Sequence, residues 1–87
     1  MKFDELKTSL INQLTGWITH AQAMHAEEFR MVTLRNVHQL VTEARTTDEL
    51  REAVNRAQPG LMQRLMTQSI NDWEAQQEVI RAATFKM

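Results

Sequence analysis

Three histidines and two adjacent glutamates, His20, His25, His38, Glu27 and Glu28, are the residues of this chain best equipped for metal chemistry. Helical bundles hold di-iron centres with Glu-x-x-His pairs, in which a carboxylate and an imidazole three residues apart share one helix face. The spacing here does not meet that demand. His20 and His25 are five residues apart, about 140° around a helix, and no glutamate stands three residues before any histidine. His25 and Glu28 instead have the separation of a surface helical pair worth a few tenths of a kcal/mol. The chain has no cysteine, so it offers neither thiolate ligands nor disulfides. No grouping of Ser, Lys and His suggests an activated nucleophile, and no Gly-rich loop exists to cradle a phosphate. Glu52 with Arg56 and Glu78 with Arg81 have the spacing of solvated helix pairs. The expectation is a protein that is not an enzyme and uses no metal or cofactor.

The elements behind these residues are helical. Gly16, Pro59 and Gly60 are the strong breakers in 87 residues, and the stretches between are rich in Ala, Leu, Gln, Glu, Arg and Met, which favour helix. Phe3, Leu6, Leu10, Leu14, Trp17, Ala21 and Met24 recur at steps of three or four, which places them on one helix face. Leu34, Val37, Val41 and Ala44 repeat the pattern, and the stripe drifts over residues 27–32, where a bend or a change of packing partner is expected. Leu50, Val54, Ala57, Leu61 and Leu65 form a further series, while Met62, Met66, Ile70, Trp73, Gln77 and Ile80 carry the apolar face onward.

The best local boundary is Arg45-Thr46-Thr47-Asp48-Glu49. Thr46 and Glu49 have capping-box spacing, and Asp48, Glu49 and Glu52 put negative charge where the helix dipole favours it. One domain over residues 1–87 follows, with a helical arm over 3–44, a turn at 45–47 and a second arm over 48–84. Pro59-Gly60 breaks or kinks the second arm at 58–60, either as a bend or as a turn with Pro59 in the first turn of a new helix. Gly16 is expected to mark close packing beside Trp17. Two arms of about 40 residues would each be ~60 Å long if straight, and an antiparallel pair shields only one side of each. The expected fold is all-α, an antiparallel helical hairpin or small helical bundle completed by self-association. A monomer of three or four helices folded back at Gly16 and Pro59 is the other solution.

Ten basic and eleven acidic residues, a formal charge of −1, give no field that would gather nucleic acid. Thr47 to Met66 nevertheless has the outline of a helix-turn-helix, with Gln63, Arg64, Thr67 and Gln68 on the second helix as residues able to read bases or phosphates. No basic platform accompanies them, and no nucleic acid is expected as partner. The opening Met1-Lys2-Phe3-Asp4-Glu5 lacks the basic and then apolar run of a secretory signal, so a cytoplasmic location is expected. No apolar run of 18 residues exists to span a membrane.

Thr8 to Ala26 contains no charged residue, yet Thr, Ser, Asn, Gln and His are interleaved with Leu, Ile, Trp and Met. Such a face suits an oligomer interface or an apolar body, and it equally suits an ordinary core. Leu10, Leu14, Trp17, Ala21 and Met24 are the candidate partner-binding residues. Adaptable thioethers at Met24, Met31, Met62 and Met66 fit both readings.

Leu34-Arg35-Asn36-Val37-His38-Gln39-Leu40-Val41, followed by Ala44-Arg45-Thr46-Thr47-Asp48-Glu49-Leu50 and by the spaced Gln58, Met62, Met66 and Asn71, resembles the phasin family over residues 29–83. Those small helical proteins coat intracellular polyhydroxyalkanoate granules. The chain departs from the family in being shorter than most members and in placing Pro59-Gly60 where they continue a helix. The resemblance implies no catalytic residues. It implies a non-enzymatic coat protein that covers an apolar granule surface. The alternative is a small helical adaptor, chaperone or inhibitor, phage-encoded for example, that binds one folded protein. In either case a homo-oligomer is expected.

Overall fold

The computed structural model describes residues 2–85, which form four α-helices in the order α1 (Phe3–Ala23), α2 (Glu28–Glu43), α3 (Thr47–Asn55) and α4 (Leu61–Phe85). Neighbours in sequence pack together, and α4 closes back on α1, so the small-bundle form of the expected all-α fold is the one adopted. Each helix reverses the sense of the one before. Lys7 Nζ donates to the Thr42 carbonyl at 2.8 Å, joining the start of α1 to the end of α2. Gln63 Nε2 donates to the Val54 carbonyl at 3.4 Å, joining the end of α3 to the start of α4. Phe3 meets Trp73 edge to face, with ring centroids 6.0 Å apart, and this brings the first turn of α1 to the middle of α4.

The first arm is not continuous over 3–44. It turns at residues 24–27, and the turn carries no glycine, proline or asparagine. Its closure is a Schellman motif: the Ala26 amide donates to the Ala21 carbonyl at 2.9 Å and the His25 amide to the Gln22 carbonyl at 3.1 Å. His25 occupies the left-handed position with φ 54°, a conformation that costs a residue bearing a Cβ about 1 kcal/mol or more. Ala26, half-buried against the core, supplies the apolar contact that usually accompanies this ending.

The second boundary lies between Glu43 and Thr47 and the third between Asn55 and Leu61. Thr46 caps α3 by accepting the Glu49 amide at 3.2 Å, and the Glu49 carboxylate accepts the Arg45 amide at 3.2 Å, a capping box shifted by one residue on the return side. At residues 58–60 the chain makes a turn rather than a kink. Pro59 lies ahead of α4 rather than within its first turn, and the Gly60 carbonyl accepts the Arg64 amide at 3.1 Å as the first bond of the new helix.

The apolar stripes converge on one core of Leu6, Leu10, Leu14, Leu34, Val37, Val41, Leu50, Val54, Met66 and Ile70 with smaller residues between them. No buried side-chain polar atom among the described residues lacks a hydrogen bond. Gly16 is not a site of close packing: a Cβ built there would meet nothing within 4 Å. The bundle measures 54 × 19 × 19 Å. Its length arises because α4 continues from Trp73, level with Phe3, through twelve further residues to Phe85, about 18 Å at 1.5 Å per residue.

Candidate interaction surface

The uncharged α1 segment settles into the bundle by dividing its two kinds of residue between inside and outside. Its Thr8, Thr15 and Thr19 hydroxyls donate to carbonyls one turn earlier, at 2.9, 2.8 and 2.9 Å, which satisfies these polar groups without charge. Gln13 reaches across to Ser69 of α4 at 3.2 Å. Its apolar residues face inward: Leu10 and Leu14 have no exposed surface and Ala21 is 4% exposed. The expectation that all five stripe residues face a partner is therefore corrected for Leu10, Leu14 and Ala21, whose contacts are made within the chain. Trp17 is half-buried against the core, and Met24, at the end of α1, is open to solvent.

Trp17 is the member of the five that borders a defined hollow. A space of about 200 Å³ lies where α1, the first turns of α2 and the α3–α4 turn meet, lined by Trp17, Arg30, Leu34, Pro59, Leu61 and Met62 among others. The indole also borders a shallower groove that runs past Gln13, Gly16 and His20, so it forms a wall common to both. Leu61, 57% exposed, stands at this opening, and Leu65, also exposed, follows one turn later on α4. Phe29, beside Arg30 at the start of α2, is exposed as well. Isolated exposed apolar residues are ordinary on a monomer; of these three, Leu61 lines the hollow, where it adds to the apolar surface of Trp17, Leu34 and Met62.

A second exposed apolar pair, Val79 and Ile80, lies on the part of α4 that projects beyond Trp73. The same register that buries Met62, Met66 and Ile70 leads to Ile80, but the other helices end before reaching it. Sequence reasoning assigned Leu61, Leu65 and Ile80 to core stripes. Leu61 and Leu65 lie about 100° around α4 from the buried Met62 and Met66, and Ile80 lies beyond the end of the bundle on the Phe3 side.

The residues considered for chemistry do not form a site. His20 is exposed on α1, His25 is exposed in the turn after it and His38 is half-buried on α2, and no group of three His, Asp or Glu among the described residues has metal-binding geometry. On the helix-turn-helix outline, Gln63 is engaged with the Val54 carbonyl and Gln68 donates to Asp72 at 2.8 Å, while Arg64 is exposed. Neither the Glu52 and Arg56 pair nor the Glu78 and Arg81 pair closes. The ion pair present among the described residues joins Arg51 of α3 to Glu74 of α4, with Asn71 accepting from the same guanidinium at 2.8 Å. It is more than one third exposed, which limits its value to that of a surface pair. No helix of the described residues is long and apolar enough to cross a membrane.

No family model matches this sequence, and no curated protein or solved structure matches it either.

Proposed function

We propose that this protein is a non-enzymatic helical interaction module, acting in the cytoplasm, that binds one folded protein partner through the end of the bundle formed by Trp17, Phe29, Leu61 and Leu65. The observation that carries this reading is the coincidence of the hollow beside Trp17 with the exposed Leu61 in its lining. An aromatic wall beside a small hollow, rimmed by apolar side chains, is the arrangement that supplies most of the energy in protein–protein contacts. The reading is the adaptor, chaperone or inhibitor alternative of the sequence. It is favoured over a phasin-like coat because a coat needs a continuous apolar face, and Leu6, Leu10 and Leu14 are enclosed in the core. Engagement of Gln63 and Gln68 within the chain favours it over base readout.

Leu61→Glu tests the proposal. The variant should keep its helical circular dichroism and lose a single stoichiometric protein that the wild type retains from native cells. Retention of that protein by the variant, or recovery of the wild type with lipid or polymer granules alone, would refute it. Self-association is a second reading, favoured by the exposed Val79 and Ile80 on the projecting end of α4. Sedimentation of wild type against Ile80→Glu checks it: a dimer reduced to monomer supports it, and a wild-type monomer refutes it.

A further inference from the structure

We infer that the hollow beside Trp17 is selective for an acidic partner segment, one that inserts a single apolar side chain and places a carboxylate against Arg30. This inference rests on the proposed protein-binding role and names the chemistry of the partner. Three observations lead to it. The first is size: about 200 Å³ is below the roughly 300 to 1,000 Å³ of small-molecule and cofactor sites. One large side chain suits it better than a free metabolite does. The second is the wall. Trp17, Leu34, Leu61 and Met62 supply aromatic, aliphatic and thioether surface, which favours an apolar anchor and adapts to its shape.

The third is charge. Arg30 is the one charged residue lining the hollow, and it makes no hydrogen bond or ion pair with another described residue. No carboxylate shares the lining. A planar guanidinium presents a fork of donors suited to two carboxylate oxygens, and Arg30, exposed to solvent, lines the same hollow as the Trp17 indole. The contrast with Arg51 is informative: that guanidinium is occupied by Glu74 and Asn71, whereas Arg30 lines an apolar space with its donors available. Cationic and neutral segments gain nothing from this arrangement, so the charge supplies discrimination in addition to affinity.

The test uses the full chain labelled with nitrogen-15 and two probes, N-acetyl-leucine and its uncharged amide, followed by two-dimensional NMR. Fragments of this size bind on the order of millimolar. The carboxylate probe should shift the Trp17 indole and the Gly60 and Leu61 amides in a saturable way, leaving the Trp73 indole as an internal reference. The amide should bind about tenfold more weakly, the scale of one charge-assisted hydrogen bond. Arg30→Gln should bring the carboxylate down to the affinity of the amide without altering the circular dichroism. Equal binding of the two probes, absence of shifts at Trp17, or full retention of carboxylate preference by Arg30→Gln would overturn the inference. The partner-binding role is separated by the capture experiment: a partner lost by Leu61→Glu but kept in full by Arg30→Gln upholds that role and refutes the acidic preference. A partner unaffected by either change refutes both.

Discussion

Replacing Leu14 by alanine asks most directly whether the uncharged α1 stripe is closed within one chain. Leu14 has no exposed surface and sits between Leu10 and Ala21 on the buried face of α1. Removing its side-chain carbons forfeits their burial and leaves a cavity that the surrounding residues fill only in part, a cost of about 2.7 to 5 kcal/mol. A domain of 87 residues has a total stability of about 4 to 13 kcal/mol, at roughly 0.05 to 0.15 kcal/mol per residue. The substitution therefore removes a large share of it. With a urea slope of about 1 to 3 kcal/mol/M, the midpoint followed by far-ultraviolet circular dichroism should fall by roughly 1 to 5 M. Leu61→Ala, at a position 57% exposed, serves as the control and should stay within about 0.5 kcal/mol of wild type. Leu14→Glu should leave no folded protein, because an unpaired carboxylate in this core is too costly to bury. A folded, monomeric Leu14→Glu, or a Leu14→Ala midpoint no lower than that of Leu61→Ala, would refute the enclosure of the stripe and return it to an interface.

Three further substitutions probe the elements that shape the bundle. Gly16→Ala should raise stability by about 1 kcal/mol, since the added methyl meets nothing within 4 Å and alanine is the better helix former; a lower urea midpoint would mean that another surface approaches there. His25→Gly should raise stability by about 0.5 to 1 kcal/mol by relieving the left-handed φ of 54°, and thermal denaturation showing a loss would contradict the Schellman ending. Thr46→Ala should lower stability by about 0.5 to 2 kcal/mol through loss of the bond to the Glu49 amide, with an unchanged denaturation midpoint as the contrary result.

Local chemistry made some boundaries legible and left others hidden. Thr46 and Glu49 announce the start of α3 because a helix cap is a short-range arrangement of a side-chain oxygen and an amide three residues on. Pro59-Gly60 shows that the second arm is interrupted, although turn and kink share the same residues and packing alone decides between them. The turn at 24–27 carries no such marker. His25 takes a position that glycine usually fills, and the drift of the apolar stripe over 27–32 is its one trace in the sequence. That drift is compatible with a bend or with a change of packing partner, so the sequence implies a first arm over 3–44 whose long uncharged stripe suits either a core or a partner. Folding α1 back on α2 supplies the missing cover, and Leu10 and Leu14 become core. Periodicity specifies which face of a helix is apolar but not what covers it, so Leu61, Leu65 and Ile80 were equally indistinguishable from core. Trp17, at the edge of the buried face, is the partner-binding candidate that the bundle places beside a hollow. The pairing of Arg51 with Glu74 spans 23 residues and leaves no periodic trace.

Whether the Trp17 end of the bundle is the contact surface for one protein is decided by photo-crosslinking in native cells. A benzophenone amino acid at position 61, in the exposed rim of the hollow, is compared with the same residue at position 39, exposed on α2 away from it. A single crosslinked protein of defined mass from position 61, absent from position 39 and abolished by adding Trp17→Ala to a chain that remains helical, is the predicted result. Crosslinks of equal yield from both positions, or none from position 61, would contradict contact through that end.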